Sequence, residues 1–267
     1  MALLFDYDSV KYSPNNALAL AYCAKWAYLD APLAQAEVSK QLQTNKFQFV
    51  NIQSSGTQAF VAGDSHKIIV SFRGTEPSKL QDILSDIRLM QVYHALGNVH
   101  GGFIRSLDAA WREIFTIIRQ FQDNNQTIWF TGHSLGAALA TLGVAKMLEF
   151  SYPVSGLYNF GQPRVGDKKF AESMNKEMAK RYFRFVNNND VVPRVPLRTI
   201  GYADCGYFLY FDKAKILYDD LSIWTRLLDN FHGRLEALGE KGTDGINDHN
   251  MDAYIAGISK NMDKLVK

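Results

Sequence analysis

An α/β fold, built on a central and mostly parallel sheet with helices on both faces, is predicted by three features of the sequence. From residue 127 to residue 186 short apolar runs alternate with helical periods, the pattern of strands joined by crossover helices. Ahead of them lie three strand-like runs separated by turn residues, which predicts antiparallel strands at the N-terminal side of the sheet. No linker, repeat or low-complexity stretch interrupts the 267 residues, which predicts one domain over 1–267.

Each element has its own signal. Ser13 followed by Pro14 is a helix start, and the Ala/Leu-rich run to Leu29 predicts a buried helix. Phe47, Phe49 and Ile52 mark a first strand, Ala59 to Ala62 a second and Ile68 to Phe72 a third, with SSG and GDSHK as turns. The second and third are expected to pair as a hairpin. Ile104, Leu107, Trp111, Ile114, Ile118 and Phe121 step by threes and fours, one face of a helix. The alternating stretch then gives a strand from Thr127, a helix from Leu135 to Phe150, a strand from Val154 to Phe160, a helix from Lys168 to Met178 and a strand from Tyr182 to Val186. Leu217, Leu221, Trp224, Leu228, Phe231, Leu235 and Leu238 predict a further long amphipathic helix packed on the body.

Composition removes several function classes. With 29 Lys and Arg against 27 Asp and Glu, and no basic run, a nucleic-acid footprint is not expected. Two cysteines, Cys23 and Cys205, cannot form a disulfide framework or a four-cysteine zinc site, and whether they pair is open at this point. No stretch is apolar for about 18 residues, so no transmembrane helix is expected. The start lacks a basic segment ahead of an apolar one, which favours a cytoplasmic location, with secretion after loss of an export signal as the alternative.

The sharpest signal is Gly132-His133-Ser134-Leu135-Gly136, of the form G-x-S-x-G, between an apolar strand and an Ala-rich helix. A serine on a sharp strand-to-helix turn needs neighbours without side chains, and the helix N-terminus aims free N–H groups at charge developing beside it. Ser134 is therefore the candidate nucleophile. A serine hydroxyl needs a histidine base and a carboxylate that orients it, in the chain order Ser, acid, His for this kind of turn. His232 and His249 follow Ser134. His249, in the polar segment GTDGINDHNMDAY, is preferred to His232, which falls mid-helix; His133 points away from its neighbour and is not expected to be the base. Asp190, after the strand ending at Val186, is the preferred acid because sites in parallel sheets gather at strand C-termini; Asp167 is the runner-up and Asp248 reads as a turn or capping residue.

Ser71-Phe72-Arg73-Gly74-Thr75, Val99-His100-Gly101-Gly102-Phe103, the serine turn, the segment from Asn159 to Asp167, Arg184-Phe185-Val186-Asn187 with Asp190 and Pro193, and Asp248-His249 with Tyr254 together resemble the class 3 lipase family, a fungal-lipase-like branch of the α/β-hydrolases. The resemblance covers residues 15 to 258 and is closer to bacterial-type members, through the segment from Gly201 to Tyr207 and beyond, than to disulfide-rich secreted ones. It implies the α/β-hydrolase fold, Ser134 as nucleophile, Asp190 as acid and His249 as base. It also implies an oxyanion hole from the N–H groups of Leu135 and Thr75, with Asp86 supporting that loop, and a lid over 76–89 carrying Leu80, Ile83, Leu84 and Ile87 on one face. A fixed helix over the site is the other reading of that segment, since Ile83 stands where many relatives have tryptophan.

The expected activity is hydrolysis of acylglycerol esters through an acyl-serine intermediate, with no metal or organic cofactor. The substrate is a lipid ester, with transient contact to a lipid surface; oligomeric state is not legible. Phospholipase A1, galactolipase or feruloyl esterase activity shares the same triad, and a lipase-like scaffold without activity is the rival from another class. A metallohydrolase is disfavoured because no H-E-x-x-H occurs.

Overall fold

A computed structural model describes residues 2–76, 90–219, 245 and 247–264. Asp86, the lid segment after Glu76, His232 and the predicted long helix beyond Asp219 lie outside the described residues.

The main sheet contains β1 (Lys46–Ile52), β2 (Thr57–Gly63), β3 (Lys67–Phe72), β6 (Thr127–His133), β7 (Gly156–Phe160), β8 (Tyr182–Asn187), β9 (Tyr207–Phe211) and β10 (Leu217–Tyr218). A short pair, β4 (Gln91–Val92) and β5 (Val99–His100), stands apart. The eight strands of the main sheet run in the order β1-β2-β3-β6-β7-β8-β9-β10. β1 to β3 are antiparallel, as the turn residues predict; β3, β6, β7, β8 and β9 are parallel neighbours, and β10 returns antiparallel to β9.

The parallel strands are buried on both faces, which is why they read as continuous apolar runs rather than alternating ones. On one face Ile68, Val70, Ile128 and Phe130 pack with helices α3 (Gly101–Phe121), α4 (Leu135–Glu149) and α5 (Lys168–Glu177). On the other, Ile69, Trp129, Tyr158 and Phe185 pack with α1 (Pro14–Trp26), α2 (Ala31–Leu42) and α6 (Met251–Lys260). The α/β-hydrolase architecture expected from the resemblance is the one observed.

Three expectations are corrected or completed. The first helix ends at Trp26, not Leu29: Ala27 to Leu29 form a turn because Asp30 and Pro32 start α2, where the Asp30 carboxylate accepts from Leu33 N. That second helix has only Ala34, Val38 and Leu42 buried, a stripe too thin to read from pattern. Leu217 begins no helix; it pairs with Phe211 as strand β10. Cys23 and Cys205, whose pairing was open, are both free and buried. They belong to the cores on opposite faces of the sheet, so they cannot bridge.

Candidate active site

Ser134 stands between β6 and α4 with φ 59° and ψ −129°, a conformation that L residues rarely adopt. The glycines on either side explain how the chain tolerates it. A Cβ at Gly132 would lie 2.3 Å from the carbonyl of Gly136, and one at Gly136 would lie 2.3 Å from the carbonyl of Phe72. The helix start is therefore pressed on both β6 and the end of β3. Ser134 N donates to Phe160 O at 3.0 Å, which fixes the turn to β7.

Directly after β7, Gly161 has φ +58°, and a Cβ there would meet His249 at 2.7 Å and Asp190 Oδ2 at 3.0 Å. Here Asp190 and His249 come in. Asp190 is fully buried. Its Oδ2 accepts from His249 Nδ1 at 2.8 Å and from the Tyr254 hydroxyl at 2.5 Å, and Oδ1 accepts from Val192 N at 2.9 Å. Burial and then the Asp190 charge push the Tyr254 phenol far above its ordinary pKa, so it remains a donor. With Nδ1 turned to the carboxylate, Nε2 is the basic nitrogen of His249; it is buried and carries no hydrogen bond.

Asp248 holds the histidine turn to the end of β8. Its carboxylate accepts from Asn188 Nδ2 at 2.8 Å and Asn189 N at 3.2 Å, and its carbonyl accepts from Asn187 Nδ2 at 2.7 Å. Asp167, the other acid considered, caps α5 through Phe170 N at 2.8 Å and also accepts from Asn98 N, a structural position. The Asp190 loop is braced further on by Asp204, which pairs with Arg164, Arg184 and Arg198. Burial pushes the Asp204 carboxyl up, but the three guanidiniums together bring it below the usual range.

Thr75 follows Gly74, where a Cβ would lie 3.1 Å from Ser134 Cβ, so the Arg73–Thr75 segment runs beside the serine. Leu135 opens α4, and its N–H is among the donors that a helix start leaves free. Thr75, His133 and His249 share a cleft of about 650 Å³ with Trp26, Tyr28, Leu29 and Met251. The His133 ring lies 4.2 Å from that of His249, and burial, then the charge of His249, keep its pKa well below the ordinary value. It remains neutral.

The structure thus brings Ser134, Leu135, Thr75, Asp190 and His249 together at the C-terminal ends of β3, β6, β7 and β8. Asp86 lies outside the described residues. Tyr28, on the cleft wall, is not indicated by sequence pattern, and nothing in a lone tyrosine after a helix could indicate it.

A sequence model described as lipase (class 3) matches residues 69–200, the segment from β3 through the Asp190 loop. The chain is 30% identical over 256 residues to the secreted mono- and diacylglycerol lipase MDL3 of Malassezia globosa, covering 89% of this chain and 79% of that protein. It is 27% identical over 248 residues to the triacylglycerol lipase OBL1 of Arabidopsis thaliana, covering 71% of this chain and 48% of that one. It thus spans less than half the length of the plant relative. Among solved structures, a triacylglycerol lipase described as having a serine protease triad as its catalytic centre superposes with a TM-score of 0.63 at 25% identity, over 76% of this chain and 82% of its own. With the serine turn, the buried acid–histidine pair and these similarities together, the chain belongs to the class 3 lipase family.

Proposed function

We propose that the protein hydrolyses carboxylic esters of acylglycerols through an acyl-serine intermediate. The observation that carries this reading is the buried Asp190–His249 pair, with Nε2 unbonded, in the cleft beside a serine on a strained strand-to-helix turn. His249 Nε2 takes the Ser134 proton as Oγ bonds to the ester carbonyl carbon, and the N–H groups of Leu135 and Thr75 receive the oxyanion. The carbon–oxygen bond to the alcohol then breaks, and His249 returns the proton to that alcohol. Water, deprotonated by the same nitrogen, attacks the acyl group and frees Ser134. Asp190 holds the imidazole orientation and offsets the imidazolium charge throughout. The apolar walls given by Trp26, Leu29 and Met251 suit an acyl or glyceryl ester presented at a lipid surface, with which the protein makes transient contact.

Ser134→Ala and His249→Ala are each expected to lower p-nitrophenyl ester hydrolysis by about 10⁴-fold or more with an unchanged circular dichroism spectrum. Full activity in either folded variant overturns the triad. Labelling by a fluorophosphonate separates an enzyme from an inactive scaffold. A panel of triacylglycerol, diacylglycerol, phospholipid and galactolipid, run below and above the aggregation threshold, assigns the head group; preference for phospholipid or galactolipid would replace the acylglycerol reading.

A further inference from the structure

Tyr28 lies in the turn after α1, far from the triad in sequence, yet its hydroxyl sits at the junction of the site's parts. It is 2.8 Å from His133 Nδ1. A Cβ at Gly74 would lie 2.2 Å from the same oxygen and 2.5 Å from the His133 carbonyl, so the phenol closes directly over the turn that presents Thr75. Burial pushes the Tyr28 phenol well above its ordinary pKa, with the Arg73 charge and then the Gly74 main chain pulling it part of the way back, so the hydroxyl keeps its proton. The Arg73 guanidinium lies 5.7 Å over the ring. The turn itself is fixed by Tyr28 N donating to Lys25 O and Leu29 N to Trp26 O.

His133 stays neutral, so one of its Nδ1 and the Tyr28 hydroxyl donates and the other accepts, and the ring is held by this bond in either tautomer. The ring so oriented is the one packed 4.2 Å from His249. We propose that Tyr28 is a positioning residue for hydrolysis: its hydroxyl joins the Gly74–Thr75 turn to His133, and through that ring sets the pose of His249. The inference rests on the reading of Ser134 and His249 given above. Alignment of an oxyanion donor and an imidazole matters most when charge develops, so its loss acts on kcat more than on KM.

Tyr28→Phe keeps the ring, the cleft wall and the Arg73 contact and removes only the hydroxyl. It is expected to lower kcat for p-nitrophenyl butyrate about 10- to 100-fold, with KM within about twofold, the scale of a misplaced catalytic group. The low-field proton resonance of the His249 Nδ1–Asp190 hydrogen bond is expected to shift. Wild-type kcat in the folded variant, or a resonance that does not move, overturns the proposal. Should Tyr28→Phe fail to fold, His133 carries the test: His133→Asn offers the hydroxyl an acceptor and is expected to retain more kcat than His133→Leu, and equal losses overturn it. Failure of the wild-type protein to label with a fluorophosphonate would instead break the hydrolase reading, leaving the resonance to judge Tyr28 alone.

Discussion

Ser134 and His249 stand at the same end of the sheet, His249 on the cleft and Ser134 buried beside it, but they are held there by different means. The serine side is main chain: two glycines that let a helix start touch two strands, a positive φ, and a bond from Ser134 N to Phe160 O. The histidine side is side chain: Asp190 with three donors, Asp248 with two, and an asparagine reaching a carbonyl. Main-chain packing leaves little room for partial failure, whereas side-chain bonds can be removed one at a time. The two sides should therefore break differently, one by losing the fold and the other by losing rate.

The largest effect belongs to Asp190→Asn, which preserves shape while removing the charge that orients His249. A loss of about 10⁴-fold in kcat is expected with the fold intact, read by ester hydrolysis alongside circular dichroism. Gly136→Ala tests the other side. Its Cβ would sit 2.3 Å from the Phe72 carbonyl oxygen and 2.8 Å from the Arg73 carbonyl carbon, main chain that cannot swing aside, so a loss of about 3 kcal/mol or more in urea unfolding is expected. Asp248→Ala removes two hydrogen bonds to a carboxylate at a half-buried site, and about 1–2 kcal/mol of stability with it, together with a drop in kcat.

A pH scan probes a third anchor, the start of α3, where His100 Nδ1 accepts from Gly102 N and Phe103 N. Burial and then Arg105 push this imidazole down from 6.5 to about 4. The folded state thus binds fewer protons than the unfolded chain in that window, so the stability from the neutral cap is full above about 6.5 and falls as pH drops towards 4. His100→Asn, which caps without titrating, should flatten part of the fall in urea midpoint between pH 7 and pH 5. The smallest effect is Lys25→Ala: its pair with Asp252 joins α1 to α6, but both side chains are exposed, and less than about 0.5 kcal/mol is expected from the same unfolding measurement.

The serine side is also the more legible in the sequence, for the same reason. Backbone constraints leave residue types behind, and Gly132, Ser134 and Gly136 announce a sharp turn by their identity and spacing alone. Asp190 and His249 are legible through chain order and strand-end placement, which narrows the choice without measuring it. Tyr28 is not legible, because a hydroxyl that acts across 105 positions leaves no local pattern. The fold divides likewise. Strands β1 to β3 and the alternating stretch follow periodicity, while α2 buries three residues and β9 is a run of aromatic and aliphatic side chains with no alternation to distinguish strand from buried helix. Leu217 matches a four-residue spacing by coincidence and serves a strand.

The packing of α6 against α1 carries a consequence for the order of synthesis. Tyr254 and Asp252 on α6 reach Asp190 and Lys25, and His249 precedes that helix, so His249 arrives 115 positions after Ser134. Under the proposed mechanism, a ribosome-bound chain that has already folded its first strands and its serine turn lacks the proton acceptor for Ser134 until this later segment emerges and docks on the first helix. On the hydrolysis proposed above, the nascent chain is inactive until α6 docks, and clipping ahead of residue 249 removes activity together with the α6 side chains packed in the core.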